Sequence, residues 1–150
     1  TCIKEVFIDM NKKLRFSNKT FIWLFYIPLV YKNISDFRKS FKLVEDKKLK
    51  SICAFKEAET HPMSSWYIKK NKPFQFIKNN LCRRQDFTKA FSHHHYICGF
   101  NTKYLNQLNN ELIFKNTFPI LLNDYTSKKL IEVDTKEELK KFKKFKKFYL

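Results

Sequence analysis

Two short apolar segments on either side of a helix constrain the fold of this chain more than any other feature. Residues 21–26 are apolar on both faces, which is typical of a buried strand, and Pro28 ends it. Residues 49–55 form a second short strand, and the pattern between the two predicts an amphipathic helix with Ser35 as its N-cap. A strand, a helix and a strand at this spacing predict two parallel strands joined by a crossover.

The remaining segments predict a mixed α/β chain. The last helix begins with a capping box formed by Thr135 and Glu138. Between residues 57 and 91 the chain is polar and irregular, with aromatic residues interleaved with lysine, which favours a hairpin excursion over another crossover. The other predicted elements are a helix at 1–13, strands at 95–100, 118–122 and 130–133, and a helix at 102–111.

Length and apolar content indicate a single domain over residues 1–150. The chain has 150 residues, of which 43% are hydrophobic, and this is enough for one buried core. The longest apolar run, residues 21–30, is shorter than the about 20 residues that cross a bilayer and contains Pro28, so we expect no membrane partner. The four cysteines lack the close pairs of a zinc site, and we expect free thiols in a cytoplasmic protein.

The base composition of the gene can explain much of the strong positive charge. The sequence has 31 lysine and arginine residues against 14 acidic ones, a formal charge of +17, which suggests a polyanionic partner. Almost all of the excess is lysine, however, and it comes with abundant Asn, Phe and Ile, whose codons are also A/T-rich. The Lys-Phe repeat at 140–148 favours a helix packed through its phenylalanines, and no compact basic motif indicates a specific nucleic-acid partner.

A cluster of polar residues before Phe87 suits an anionic substrate. Arg83 and Arg84 can hold a carboxylate or phosphate through paired N–H groups, and the amide of Gln85 can add hydrogen bonds to hydroxyls. The alternative is a solvated turn in which Asp86 forms a local ion pair.

Glu132 and Asp134 form a second candidate site, called the acidic pair below. They alternate on a predicted strand end, so both should point the same way. Two carboxylates on one side can hold Mg²⁺ beside substrate phosphates, and ligands of α/β sheets gather where strands end. The alternative is that Asp134 only caps the following helix.

Three consecutive histidines, His93, His94 and His95, also suggest a metal. On an extended segment they cannot all face one ion, and only His61 could supplement them. The sequence therefore disfavours a metal site there.

The order of these segments resembles that of the acylneuraminate cytidylyltransferases, which make CMP-activated nonulosonic acids such as CMP-sialic acid. Four stretches support the resemblance over nearly the whole chain: the strand and Pro-Leu turn at 23–29, residues 51–57 with the His-Pro pair at 61–62, Arg-Gln-Asp-Phe at 84–87, and 130–139. The last is similar to the family pattern I-D-I-D-T-x-x-D-L. The resemblance implies a Rossmann-like nucleotidyltransferase fold of three layers, with a protruding aromatic excursion through which a homodimer forms.

The resemblance also implies an activity. The anomeric hydroxyl of a nonulosonic acid would attack the α-phosphate of CTP and release pyrophosphate, with Mg²⁺ as cofactor. Arg84 matches a family arginine on the sugar side, and Gln85 lies beside it. Glu132 and Asp134 match the metal-facing pair, with Glu in place of the usual first Asp.

Several positions depart from the family pattern. The N-terminal strand and the CTP loop with its glycine and lysine have no counterpart, so we expect an N-terminally truncated domain. Apolar residues around Pro28 replace the family's hydroxyls and arginine, Ser64 replaces a lysine, and His94 and His95 replace an Asn-Gly pair. These departures keep a second hypothesis open, that of a degenerate, inactive family member whose basic surface binds polyanions.

Overall fold

The computed structural model describes residues 2–80 and 83–145, and this part of the chain is a mixed α/β fold. Its helices are α1 (Ile3–Leu14), α2 (Ile34–Lys47), α3 (Asp124–Lys129) and α4 (Lys136–Phe145). Its strands are β1 (Phe21–Leu24), β2 (Ser51–Glu57), β3 (Trp66–Lys69), β4 (Lys72–Gln75), β5 (Phe91–Asn101) and β6 (Thr117–Leu121). Short 3₁₀ turns occur at Pro62–Ser64, Arg84–Asp86 and Thr102–Gln107.

The main sheet has the strand order β1-β5-β2-β6. Both β1 and β2 pair antiparallel with β5, and β6 pairs parallel with β2, so β1, β2 and β6 all run in one direction. This confirms that the two apolar segments around α2 lie parallel in one sheet, although β5 separates them. The three parallel strands end at Leu24, Glu57 and Leu121, on the same side of the sheet. We call this side, where the C-terminal ends of the parallel strands lie, the carboxyl edge.

The core lies on both faces of this sheet. Cys53 and Ala54 are consecutive in β2, so their side chains point to opposite faces. Cys53 belongs to an apolar cluster with Phe7 of α1, whereas Ala54 belongs to a cluster with Phe37 of α2. One helix therefore covers each face, with the sheet between them.

Strand β5 contains a bulge that changes where its side chains point. Its register with β2 shifts between Cys53, which pairs with Cys98, and Ala54, which pairs with His94. Residues 95–97 are therefore extra on the β5 side, and such an insertion bends a strand and re-aims its side chains. The histidine segment lies at this bulge.

The middle segment is a hairpin, as the sequence predicts. Strands β3 and β4 pair only with each other within the described residues. Lys70 and Asn71 join them with φ values of 50° and 58°, the left-handed conformation that a tight two-residue hairpin turn requires. We call this element the aromatic hairpin.

Three predictions of secondary structure are wrong. Asn33, not Ser35, is the N-cap of α2, because its side chain accepts a 2.9 Å hydrogen bond from the Ser35 N–H. The predicted helix at 102–111 is a 3₁₀ turn followed by a loop, in which the Asn109 side chain binds backbone N–H groups in place of a helical ladder. The predicted strand at 130–133 is a single bridge, since α3, which the sequence did not predict, ends immediately before it.

The cysteines and the two ends of the chain lie partly outside the described residues. Cys2, Cys53 and Cys98 are free thiols, as predicted, whereas Cys82 lies outside the described residues. Thr1 and the end of the Lys-Phe repeat, residues 146–150, also lie outside them. Of the helices in the described ranges, none has the length and apolar character needed to span a membrane.

Candidate functional site

The acidic pair is held against the turn that follows β1. The backbone of Glu132 forms an antiparallel bridge with that of Leu29, and Val133 N donates a 3.0 Å hydrogen bond to Pro28 O. Leu29 is buried in the core, with 1% of its surface exposed, whereas the Glu132 side chain is 47% exposed. The bridge therefore fixes the Glu132 backbone at the carboxyl edge and leaves its carboxylate accessible.

The cap of α4 is formed by Thr135 and not by Asp134. Thr135 Oγ1 accepts a 3.1 Å hydrogen bond from Glu138 N, and Glu138 Oε2 accepts one of 2.8 Å from Thr135 N. Glu138 Oε2 also accepts a 2.9 Å bond from Asp134 N. The predicted capping box is confirmed, and the alternative that Asp134 serves as the helix cap is wrong.

Tyr26 lies beside the acidic pair. Burial raises the pKa of its hydroxyl, and the negative charges of Asp134 and Glu132 raise it further. Both carboxylates therefore act on one phenol, which stays protonated and can donate a hydrogen bond.

His94 faces Glu132 from β5. It is 7% exposed, and its Nε2 lies 3.8 Å from Glu132 Oε1. Burial, together with the charges of Lys56 and of the adjacent histidines, lowers the pKa of His94 to about 4. His94 is therefore neutral at pH 7, and since Nδ1 accepts a 3.2 Å hydrogen bond from Tyr96 N, its proton is on Nε2. It presents an N–H donor toward the Glu132 carboxylate.

Gln85 lines a separate cavity of about 290 Å³ at the carboxyl edge, together with Glu57 and His61. The ring of His61 packs against that of Phe87 at 4.7 Å, and its Nε2 donates a 2.8 Å hydrogen bond to Thr88 O. A second cavity of about 380 Å³ adjoins this one through the same Glu57 and His61. The predicted substrate-binding segment therefore borders a space large enough for part of a small ligand.

Arg84 lies in the 3₁₀ turn Arg84–Asp86, directly before Gln85 in the chain. The turn leads into β5, which begins at the carboxyl edge, so its backbone lies on the side of the sheet where the parallel strands end. A larger cavity of about 400 Å³ lies between α2 and β6 and is lined by none of the predicted site residues.

Lys56 provides a positive charge near Glu59 and His94. Its Nζ lies 3.0 Å from Oε1 of Glu59, a residue that lines the cavity of about 380 Å³, and its charge contributes to the lowered pKa of His94. The sequence analysis missed Lys56, His94 and Tyr26 as site residues. Tyr26 and Lys56 lie within the stretches at 23–29 and 51–57 that support the resemblance, and His94 is one of the positions that depart from the family pattern.

The motifs that support the family resemblance meet in pairs. The Leu29–Glu132 bridge joins the first stretch to the last, and the contact of His61 with Phe87 joins the second to the third. No protein-family model matches the chain, and no curated protein is significantly similar to it.

Proposed function

We propose that this chain contains the sugar-acid and metal sites of a cytidylyltransferase that forms a CMP-activated nonulosonic acid from CTP and the free sugar acid. The fold we propose for it is the Rossmann-like nucleotidyltransferase fold. The Leu29–Glu132 bridge is the observation that supports this most, because it brings the Pro-Leu turn and the acidic pair together at the carboxyl edge. Open α/β sheets bind their ligands at that edge.

In this proposal Glu132 and Asp134 hold Mg²⁺. Both offer carboxylate oxygens, the ligands that this ion prefers, and Asp134 is not engaged as the cap of α4. When bound, Mg²⁺ would offset charge on the phosphates as pyrophosphate leaves.

His94 and Lys56 act beside the metal site. The neutral His94 ring donates from Nε2, so it can orient the Glu132 carboxylate or bind a phosphate oxygen without placing a second cation against the metal. Lys56 carries the positive charge that a phosphate or sugar carboxylate requires. Together they make the edge selective for anionic oxygen groups.

Arg84 and Gln85 bind the sugar acid. A guanidinium group forms paired hydrogen bonds with a carboxylate, and the Gln85 amide reaches the cavity next to His61, where sugar hydroxyls would lie. The reaction needs little covalent chemistry from the protein, so positioning and electrostatics supply most of the catalysis.

The aromatic hairpin provides the dimer contact in this proposal. Its rings and that of Phe76, directly after β4, stay exposed, with Trp66 at 53% and Phe76 at 65%, although Tyr67 stacks on Phe74 at 5.4 Å. A lone two-stranded hairpin is marginally stable in water, and exposed apolar patches usually mark interfaces. A second copy of the chain would cover these rings, as the resemblance implies.

Titration of the folded chain with sialic acid in the presence of Mg²⁺, followed by NMR, tests the sugar site. We expect saturable binding that Arg84→Lys weakens about tenfold or more, because lysine keeps the charge and loses the paired hydrogen bonds. The matched control is Arg38→Lys on the exposed side of α2, which should bind normally. Absence of sialic acid binding to the folded protein would contradict the proposal, and salt-sensitive binding of heparin alone would support the degenerate polyanion binder.

A further inference from the structure

The three consecutive histidines contact two different carboxylates. His94 faces Glu132, whereas His93 and His95 contact Glu111. This follows from the alternation of side chains along a strand. The sequence expectation that they cannot share one ion fits this arrangement, but the inference that only His61 could supplement them missed Glu111.

His93, His95 and Glu111, called the His-Glu cluster, have the spacing of metal ligands. His93 Nε2 lies 3.1 Å from Glu111 Oε2, and His95 Nε2 lies 3.8 Å from the same oxygen. One ligand atom from each residue lies within 4.8 Å of the other two. Tetrahedral zinc has bonds of about 2.0 to 2.1 Å to nitrogen and oxygen, which places its ligand atoms about 3.4 Å apart. This separation lies between the two distances from the histidine nitrogens to Glu111 Oε2.

The backbone around the His-Glu cluster is well supported. Asn109 Oδ1 accepts hydrogen bonds from Glu111 N at 3.0 Å and from Ile113 N at 2.9 Å, which fixes the loop that presents the carboxylate. The two histidines lie on β5, an inner strand with β1 on one side and β2 on the other. Only small side-chain shifts are therefore needed to bring the three ligand atoms onto one ion.

The cluster is open on one side. The side chain of His95 is 15% exposed, that of His93 is 37% exposed and that of Glu111 is 51% exposed, so solvent reaches the ligand atoms. Two histidines and one carboxylate leave the fourth position of a tetrahedral ion for water.

We propose that His93, His95 and Glu111 bind a zinc ion, with water as the fourth ligand. Imidazole nitrogens favour zinc and similar transition metals, whereas Mg²⁺ prefers oxygen ligands, so the two metal sites select different ions. This zinc site does not depend on the proposed transferase activity. Without a metal, the same geometry would be one hydrogen bond between His93 and the Glu111 carboxylate and one from His95 Nε2 to the Glu111 backbone oxygen.

Calorimetric titration of the metal-free, untagged chain with zinc tests this proposal. We expect one ion per chain and a raised melting temperature, because the ion binds the folded state. Zinc binding should weaken about 100-fold or more in each of the variants His93→Gln, His95→Gln and Glu111→Gln. Loss of a residue that only hydrogen-bonds a metal ligand already lowers metal affinity roughly 10- to 100-fold. Cobalt should give the visible absorption of a tetrahedral site, and excess Mg²⁺ should not displace zinc.

Two controls separate the cluster from other sites. His61→Gln removes one imidazole elsewhere and should bind zinc normally, as should Asp134→Asn on the acidic pair. Thermal unfolding of each metal-free variant shows whether it is folded. The proposal is overturned if the folded wild-type chain binds no zinc with one-to-one stoichiometry, or if His61→Gln weakens binding as much as His93→Gln does.

Discussion

Leu29 and Glu132 pair through their backbones while their side chains serve different purposes. The Leu29 side chain is buried beside Phe37, Tyr96 and Leu130, and the Glu132 carboxylate remains half exposed beside His94. A single bridge thus anchors the acidic pair to the hydrophobic core. Loss of the apolar anchor should therefore affect both stability and the site.

Leu29→Ala should lower the free energy of unfolding by about 2 to 4 kcal/mol, because it removes a fully buried side chain and leaves a cavity. Urea unfolding measures the change. Ile27→Ala is the matched control, since Ile27 is two residues away and 87% exposed, and it should change stability by less than about 0.5 kcal/mol. Equal effects of the two substitutions would show that the bridge is not anchored in the core.

The buried neutral His94 should make the fold sensitive to acid. Its pKa is about 4 in the folded chain and near its ordinary 6.5 when unfolded, so the unfolded state binds a proton first as pH falls. Stability should therefore fall between pH 6.5 and 4, by roughly 2 to 3 kcal/mol from this residue, and its contribution should then level off.

Urea unfolding of the wild type and of His94→Asn across this pH range isolates that contribution. Asparagine can still accept the hydrogen bond from Tyr96 N but does not titrate, so the variant should lose less stability on acidification. His61→Gln should keep the wild-type slope. Parallel pH profiles for wild type and His94→Asn would rule out a buried, neutral His94.

The aromatic hairpin should hold two copies of the chain together. We expect sedimentation velocity at tens of micromolar protein to show a dimer, and Phe76→Ser or Trp66→Ser to give monomers by removing exposed rings. Ile34→Ser, at a similarly exposed position on α2, should leave the dimer intact. A wild-type monomer under these conditions would contradict this contact.

Local pattern predicted much of the fold, because several elements depend on nearby residues alone. The apolar runs correctly predicted strands β1 and β2, although β1 is an edge strand that is only partly buried. The capping box of Thr135 and Glu138 is a contact within one helix turn. The strand predicted at 130–133 failed because strand alternation does not show whether a partner is available, and only Leu29 pairs there.

The site was less predictable because it depends on contacts between distant segments. The bulge at residues 95–97 shifts the register between β5 and β2, and no local pattern marks it. Glu111 reaches His93 and His95 through a loop that the sequence predicted as the end of a helix. By contrast, Glu132 and Asp134 were selected from their alternation and from the family resemblance, and their assignment as metal ligands is still a prediction.

Asp134→Asn tests the proposed Mg²⁺ site most directly. The assay measures Mg²⁺-dependent transfer of CMP from CTP to a nonulosonic acid, with the protein made from its complete gene. Because Thr135 caps α4, the substitution should leave thermal unfolding almost unchanged while removing one carboxylate from the metal site. We expect turnover to fall about 100-fold or more, and the control Asp46→Asn on the exposed end of α2 to remain active. If folded Asp134→Asn keeps both its turnover and its Mg²⁺ dependence, Asp134 is not a metal ligand and the proposed site is wrong.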